Sequence, residues 1–253
     1  MTGGYIGVFD SGIGGISLLT KLLKLLPNES FIYFGDNKNS PYGNKSKREL
    51  LSLAISGVEQ LKGYGLKGLV LACNTLSTNV ISELSSYLSI PIFGVFPPIE
   101  QCVINGDKTL VLCTLKTREC LRKVKGVDVV GMLNLARDIE DNAFDLSKVD
   151  FRSNLYEHSI GDFIDKKGAY DRVILGCTHY EFIKNEILDH FRPQKIISGN
   201  DFTAKLVAKY FASTKSLVNN KRNRILFIGE NAQFNSDFFN FCGRGGSSIV
   251  KKL

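Results

Sequence analysis

No stretch of this sequence approaches the roughly 20 uninterrupted apolar residues that a membrane-crossing helix requires, so a helical span is not expected. Its six cysteines, at 73, 102, 113, 120, 177 and 242, include no C-x-x-C pair and no zinc-finger spacing. The dinucleotide fingerprint of glycine, one residue, glycine, two residues, glycine is missing as well, because Gly12, Gly14 and Gly15 are too crowded. The start carries neither a basic region nor a long apolar stretch, and a cytoplasmic protein with reduced thiols is the expectation. Clustered charge is also scarce. Thirty-two Lys and Arg against 25 Asp and Glu leave a formal +7, yet the densest basic stretches, 45–48, 221–224 and Lys251-Lys252, read as solvated loops or termini. Nucleic-acid binding is therefore a minor hypothesis.

What remains is an ordinary globular chain, 43% hydrophobic and 23% charged, whose 253 residues allow one large domain or two of about 100 to 150. Short β-branched or aromatic runs recur at 6–9, 31–34, 69–71, 92–95, 110–112, 127–130, 173–175, 195–197 and 225–228. Amphipathic stretches lie between most of them, as at 16–26, 49–64, 78–88 and 202–211. Continuous apolar strands alternating with helices predict an α/β protein with mainly parallel sheets flanked by helices. Pro97-Pro98 separates two series of units, and the last strand, at Ile225, is closer in character to the first series. This predicts two pseudo-equivalent domains, residues 1–97 with about 200–253, and residues 98–199. Ligands of open parallel sheets bind at the carboxyl ends of the strands, so the active site is expected in the cleft between the domains.

Three strand ends draw attention. The first strand runs into Asp10-Ser11-Gly12-Ile13-Gly14-Gly15, where Asp10 either faces the ligand crevice or caps the next helix. The third ends in Ala72-Cys73-Asn74-Thr75 and the seventh in Gly176-Cys177-Thr178-His179. In both, a strand delivers a small residue, a cysteine and hydrogen-bonding side chains to the expected N-terminus of a helix, whose free N–H groups lower a thiol's pKa and receive a carboxylate. One such cysteine reads as packing; two in opposite halves read as a pair. Two thiols about a carboxylate-binding floor suit removal and return of an α-proton with inversion. A cysteine hydrolase activated by His179 competes, though it leaves Cys73 unexplained.

The strings Gly7-Val8-Phe9-Asp10-Ser11-Gly12-Ile13-Gly14-Gly15, Tyr33-Phe34-Gly35-Asp36 with Pro41-Tyr42-Gly43, Ala72-Cys73-Asn74-Thr75 and Leu175-Gly176-Cys177-Thr178-His179-Tyr180 resemble those of the glutamate racemases. These are cofactor-independent members of the aspartate/glutamate racemases. A late Ser198-Gly199 and Phe227-Ile228-Gly229-Glu230 extend the resemblance over nearly the whole chain. It implies that Cys73 and Cys177 are the two acid/bases, with Asp10, His179 and Glu140 assisting. Ser11, Pro41, Tyr42, Gly43, Asn74, Thr75, Thr117 and Thr178, together with Asp10 and His179, would hold the amino acid. Thr114 aligns with the same family loop as Thr117, and Glu140 is placed on a loop ahead of the second cysteine. The resemblance further implies a glutamate substrate, D-glutamate for peptidoglycan, and no pyridoxal phosphate, metal or nucleotide. It leaves the oligomeric state open, a homodimer included. The alternatives are a related racemase, such as one for aspartate, and a non-catalytic amino-acid-binding or DNA-associated regulator. The latter has no need for two opposed thiols. Glu181 stands where the family commonly has a proline, and Gly94-Val95-Phe96-Pro97 lacks its glutamate.

Overall fold

A computed structural model describes residues 4–103, 106–156, 169–214, 224–243 and 248–251. Residues 221–223 of the second basic stretch and Lys252 lie outside them. Strands β1 (Tyr5–Asp10), β2 (Phe31–Gly35), β3 (Leu66–Leu71) and β4 (Ile92–Gly94) join β9 (Ile225–Ile228) and β10 (Ser248–Lys251) in a sheet of order β10-β9-β2-β1-β3-β4. Strands β5 (Thr109–Thr114), β6 (Val127–Met132), β7 (Arg172–Gly176) and β8 (Lys195–Ser198) form a second sheet of order β6-β5-β7-β8. Every pairing described is parallel. The strands are apolar on both faces because helices cover both, and β5 is buried along its whole length.

Nine strands stand where the apolar runs place them. The tenth, β10, was not expected: it comes after the strand at Ile225 and adds an edge to the first sheet. It is four residues long and gives too short a pattern to read.

The two sheets repeat one topology. In each, the first strand of the series pairs with the second on one side and the third on the other, with the fourth beyond the third. β1 and β5 are thus equivalent, and so are β3 and β7. Cys73 comes just after β3 and Cys177 just after β7.

Ten α-helices are described: α1 (Gly15–Leu25), α2 (Lys47–Lys62), α3 (Asn74–Tyr87), α4 (Ile99–Cys102), α5 (Leu115–Cys120), α6 (Leu135–Asp141), α7 (Phe151–Tyr156), α8 (Lys184–Phe191), α9 (Gly199–Ser213) and α10 (Ala232–Phe241). Helix α2 starts at a capping box, in which the Ser46 hydroxyl accepts from Glu49 N–H and the Glu49 carboxylate accepts from Ser46 N–H. Helices α1 and α9 tie the two sheets together: Asn200 Nδ2 donates to Ser17 Oγ at 2.8 Å, and Ser17 Oγ donates to the Thr178 carbonyl at 3.2 Å. Among the described residues, no helix is long and apolar enough to cross a membrane.

Candidate active site

Parallel pairing aligns strand ends. Asp10 pairs with Gly35 in register, Ala72 N–H donates to the Phe9 carbonyl at 2.7 Å, and Asp36 N–H donates to the Asp10 carbonyl at 3.0 Å. The carboxyl ends of β1, β2 and β3 therefore bring Asp10, Asp36 and Cys73 to one edge. In the second sheet Cys113 pairs with Gly176 and Leu175 with Ser198, so Thr114, Cys177 and Gly199 share the corresponding edge. The two edges meet. Thr178 Oγ1 donates to Asp10 Oδ2 at 3.3 Å, Ile13 N–H donates to Glu140 Oε2 at 3.1 Å, and the Thr75 and Thr114 hydroxyls lie 3.0 Å apart.

Cys73 is the residue immediately before α3, and its side chain makes no cap hydrogen bond to that helix. The helix starts four residues earlier than the amphipathic pattern at Thr78 suggests, because its first turn carries the polar Asn74 and Thr75, both buried. Asn74 Nδ2 donates to the Val95 carbonyl at 3.2 Å, which ties that turn to β4. The expectation that the helix terminus lowers this thiol's pKa is overturned. Burial, with the Asp10 charge next in weight, pushes Cys73 up to about 12, against the smaller opposing pull of the Leu76 N–H. The folded thiol holds its proton more tightly than the unfolded one, so its contribution to stability is complete below about pH 9 and is lost as pH climbs toward 12. Alkylation of Cys73 by iodoacetamide, monitored by peptide mass, is expected to keep accelerating beyond about pH 9, where an ordinary thiol levels off. A plateau at pH 9 would contradict this account of Cys73.

Cys177 enters a different local structure. The segment after β7 is a 3-10 turn, Thr178–Ile183, and only then the α-helix α8, so the expected α-helical N-terminus at Cys177 is replaced by a tighter one. That turn folds His179 back: its Nδ1 lies 3.8 Å from Cys177 Sγ and its Nε2 lies 2.7 Å from Glu140 Oε2. Glu140 sits on α6 rather than on a loop. It is buried and also accepts from Asn37 Nδ2. Burial alone would lower the His179 pKa, but the Cys177 thiol and the Glu140 carboxylate together raise it well above the ordinary histidine value. Asp10 is fully buried; burial raises its carboxyl, and His179 and the Gly12 N–H work against that. It does not cap α1, whose first residue comes after Gly14 without a side-chain cap; Asp10 Oδ1 instead accepts from Gly12 N–H at 2.9 Å.

The crowded glycines now have a physical reason. A Cβ on Gly12 would stand 2.4 Å from the Glu140 carboxylate oxygens, and one on Gly14 would stand 2.5 Å from His179 Nδ1 and Thr178 Oγ1. They admit the second half's catalytic-looking side chains against the first half's loop, which is a packing role and not a phosphate cradle.

The threonines and the Pro41-Tyr42-Gly43 turn singled out in the sequence also come to this junction. Thr114 Oγ1 donates to Thr117 Oγ1 at 3.1 Å, and Thr75 Oγ1 is 3.5 Å from Thr117 Oγ1, giving three buried hydroxyls from both halves. Pro41, Tyr42 and Gly43 are buried beside them, after a cis Ser40-Pro41 bond, and Tyr42 Oη donates to Asp36 Oδ2 at 2.6 Å. Four residues were not singled out as site residues: Tyr33, which donates to the Gly12 carbonyl at 2.5 Å, Asp36, Asn37 and Asn235. The first three sit on or just past β2, at the edge where Asp10 ends β1, and that position was the available signal. Among the described residues no group of three His, Cys, Asp or Glu side chains is arranged to hold a metal ion. A cavity of about 340 Å³ lies outside this junction, between Thr78, Phe96, Cys120 and Arg122. Convergent buried polar groups place the site at the junction instead.

No family model matches the chain. Over 247 residues it is 34% identical to a glutamate racemase of Clostridium botulinum, covering 91% of both chains. The chain belongs to the glutamate racemase family. The solved structure of a glutamate racemase from Bacillus anthracis superposes with a TM-score of 0.83 at 27% identity, covering 100% of this chain and 98% of that one. That of the glutamate racemase from Francisella tularensis, in complex with D-glutamate, gives 0.77 at 25% identity, covering 100% and 98%. The α/β architecture of two parallel sheets is thus that of solved glutamate racemases.

Proposed function

We propose that the protein interconverts L- and D-glutamate by two-base proton transfer at the α-carbon, with Cys73 and Cys177 as the acid/base pair. One observation carries this reading: buried cysteines stand at the ends of equivalent strands of two sheets with the same topology, and both border a single group of polar side chains. In one direction the thiolate of one cysteine takes the α-proton, leaving the electron pair on carbon, and the thiol of the other gives its proton to the opposite face. Each cysteine ends in the protonation state from which the reverse reaction starts. No redox change occurs, and the reaction as written requires no cofactor.

The α-proton is weakly acidic, so the carbanion must form among fixed donors in a water-poor enclosure. Ser11, Asn74, Thr75, Thr117, Thr178, the Tyr42-Gly43 turn and backbone N–H groups are the donors we assign to the two carboxylates. Asp10, His179 and Glu140 would set the proton affinities of the thiols. We take residues 1–97 with about 200–253, and 98–199, as the two domains, whose parting would admit substrate to so buried a site. The product would serve peptidoglycan synthesis in the cytoplasm.

Purified protein is expected to abolish the circular dichroism of L-glutamate; a lasting signal would refute the activity. Aspartate tests the substrate. Donors placed for a distal carboxylate are left unpaired by a shorter acid, so kcat/KM for glutamate should exceed that for aspartate by up to roughly 10⁴-fold. Equal rates, or preference for aspartate, would move the chain to the related aspartate activity.

A further inference from the structure

We infer that Asn37 and Asn235 are positioning residues for the Cys177 half of the reaction, holding Glu140 as the fixed acceptor for His179 and so His179 against the Cys177 thiol. The inference rests on the two-thiol reading above. Asn235, on α10, is completely buried, and its Nδ2 donates to Asn37 Oδ1 at 2.9 Å across 198 residues of sequence. With its oxygen so engaged, Asn37 turns its Nδ2 to Glu140 Oε1. Glu140 Oε2 takes Ile13 N–H at 3.1 Å and His179 Nε2 at 2.7 Å, and His179 Nδ1 closes the chain 3.8 Å from Cys177 Sγ.

The direction of the chain matters. Asn37, Ile13 N–H and His179 Nε2 all meet the one Glu140 carboxylate, which is thereby fixed in place and orients the His179 ring with Nδ1 toward Cys177 Sγ, the atom that moves the proton. Among the described residues Cys73 has no corresponding bond to His179; the charge that bears on it most is that of Asp10. Loosening Asn37 or Asn235 therefore raises the barrier to transfer at Cys177 and leaves transfer at Cys73 alone. A racemisation has an equilibrium constant of one, so kcat/KM must fall equally for both enantiomers. The asymmetry has to appear in isotope effects.

The test uses Asn37→Ala, Asn37→Asp and Asn235→Leu in the full chain, with α-deuterated L- and D-glutamate. The enantiomer served by Cys177 is identified first, as the one whose α-proton exchanges with D2O without inversion in Cys73→Ala. Asn37→Ala is expected to lose about ten-fold in kcat/KM, the scale of one hydrogen bond to a charged group. Its α-deuterium effect should rise for the enantiomer served by Cys177 and fall for the other. Asn37→Asp, nearly the native shape but facing Glu140 with a like charge, should be less active than Asn37→Ala, whereas a merely structural role predicts the reverse. Asn235→Leu should repeat the isotope asymmetry, and it carries the comparison if either Asn37 variant loses its native circular dichroism. Isotope effects that change equally for both enantiomers, or not at all, with one-sided exchange intact, would overturn this inference alone. Exchange of both enantiomers in Cys73→Ala would strike the two-thiol reading itself.

Discussion

Alanine at Cys73 or at Cys177 is expected to lower glutamate racemisation by roughly 10⁴-fold, the upper range for loss of a positioned acid/base. The secondary structure should survive, as neither side chain holds its helix start. The turn after Cys73 is fixed by Asn74 Nδ2 on the Val95 carbonyl, and the turn after Cys177 is fixed by Tyr180 N–H on the Cys177 carbonyl at 3.2 Å. The two substitutions should be about equally severe, because each direction of reaction needs one thiol as base and the other as acid. A cysteine hydrolase would behave otherwise, with Cys177→Ala inactive and Cys73→Ala nearly unaffected. Near-native turnover in either variant, measured by circular dichroism of glutamate, would end the two-base reading.

Glu140→Ala is the second large effect, and it should appear in stability as well as in rate. The substitution leaves His179 buried without its carboxylate and orphans the Ile13 N–H and the Asn37 amide, all within the core of the junction. Breaking a buried charged pair from one side costs about 3–5 kcal/mol, readable by chemical denaturation. The sign with pH is set by His179. Its folded pKa is raised, so the stabilisation is fully present below the unfolded value of 6.5 and is lost as pH rises through the folded value. The gap between native and variant should therefore narrow at alkaline pH. Without Glu140, burial again governs the imidazole and Cys177 loses part of its partner, so kcat/KM should fall by about 10²-fold or more. Glu140→Gln retains volume and one acceptor oxygen and should fall between. A variant as stable and active as the native protein would remove Glu140 from the site.

These effects depend on residues that were unequally visible in the sequence. Cys73 and Cys177 were legible because a parallel strand announces itself by a continuous apolar run, and topology places the residues just past its carboxyl end at the ligand edge of the sheet. Asp10 was legible for the same reason. The start of α3 was legible from the strand end, which put a helix N-terminus just after Cys73, and not from the amphipathic period, which the polar Asn74 and Thr75 of its first turn break. Glu140 was named, but its place on α6 was missed: a seven-residue helix holds too few turns to show a period. The raised pKa of Cys73 could not be read, because the helix terminus is local while burial is tertiary, and burial wins. Asn235 gave no local sign whatever. Its partner is 198 residues away, and only the return of β9 and α10 to the first sheet brings the two together.

The central claim, that two thiols act from opposite faces, is tested most directly by incubating protiated L-glutamate with the enzyme in D2O and stopping the reaction early. The account predicts D-glutamate carrying solvent deuterium at the α-carbon, while the remaining L-glutamate keeps its protium, because the base that removes the proton is not the acid that returns one. D-glutamate that keeps the original protium would show a single base returning what it took and would contradict the account.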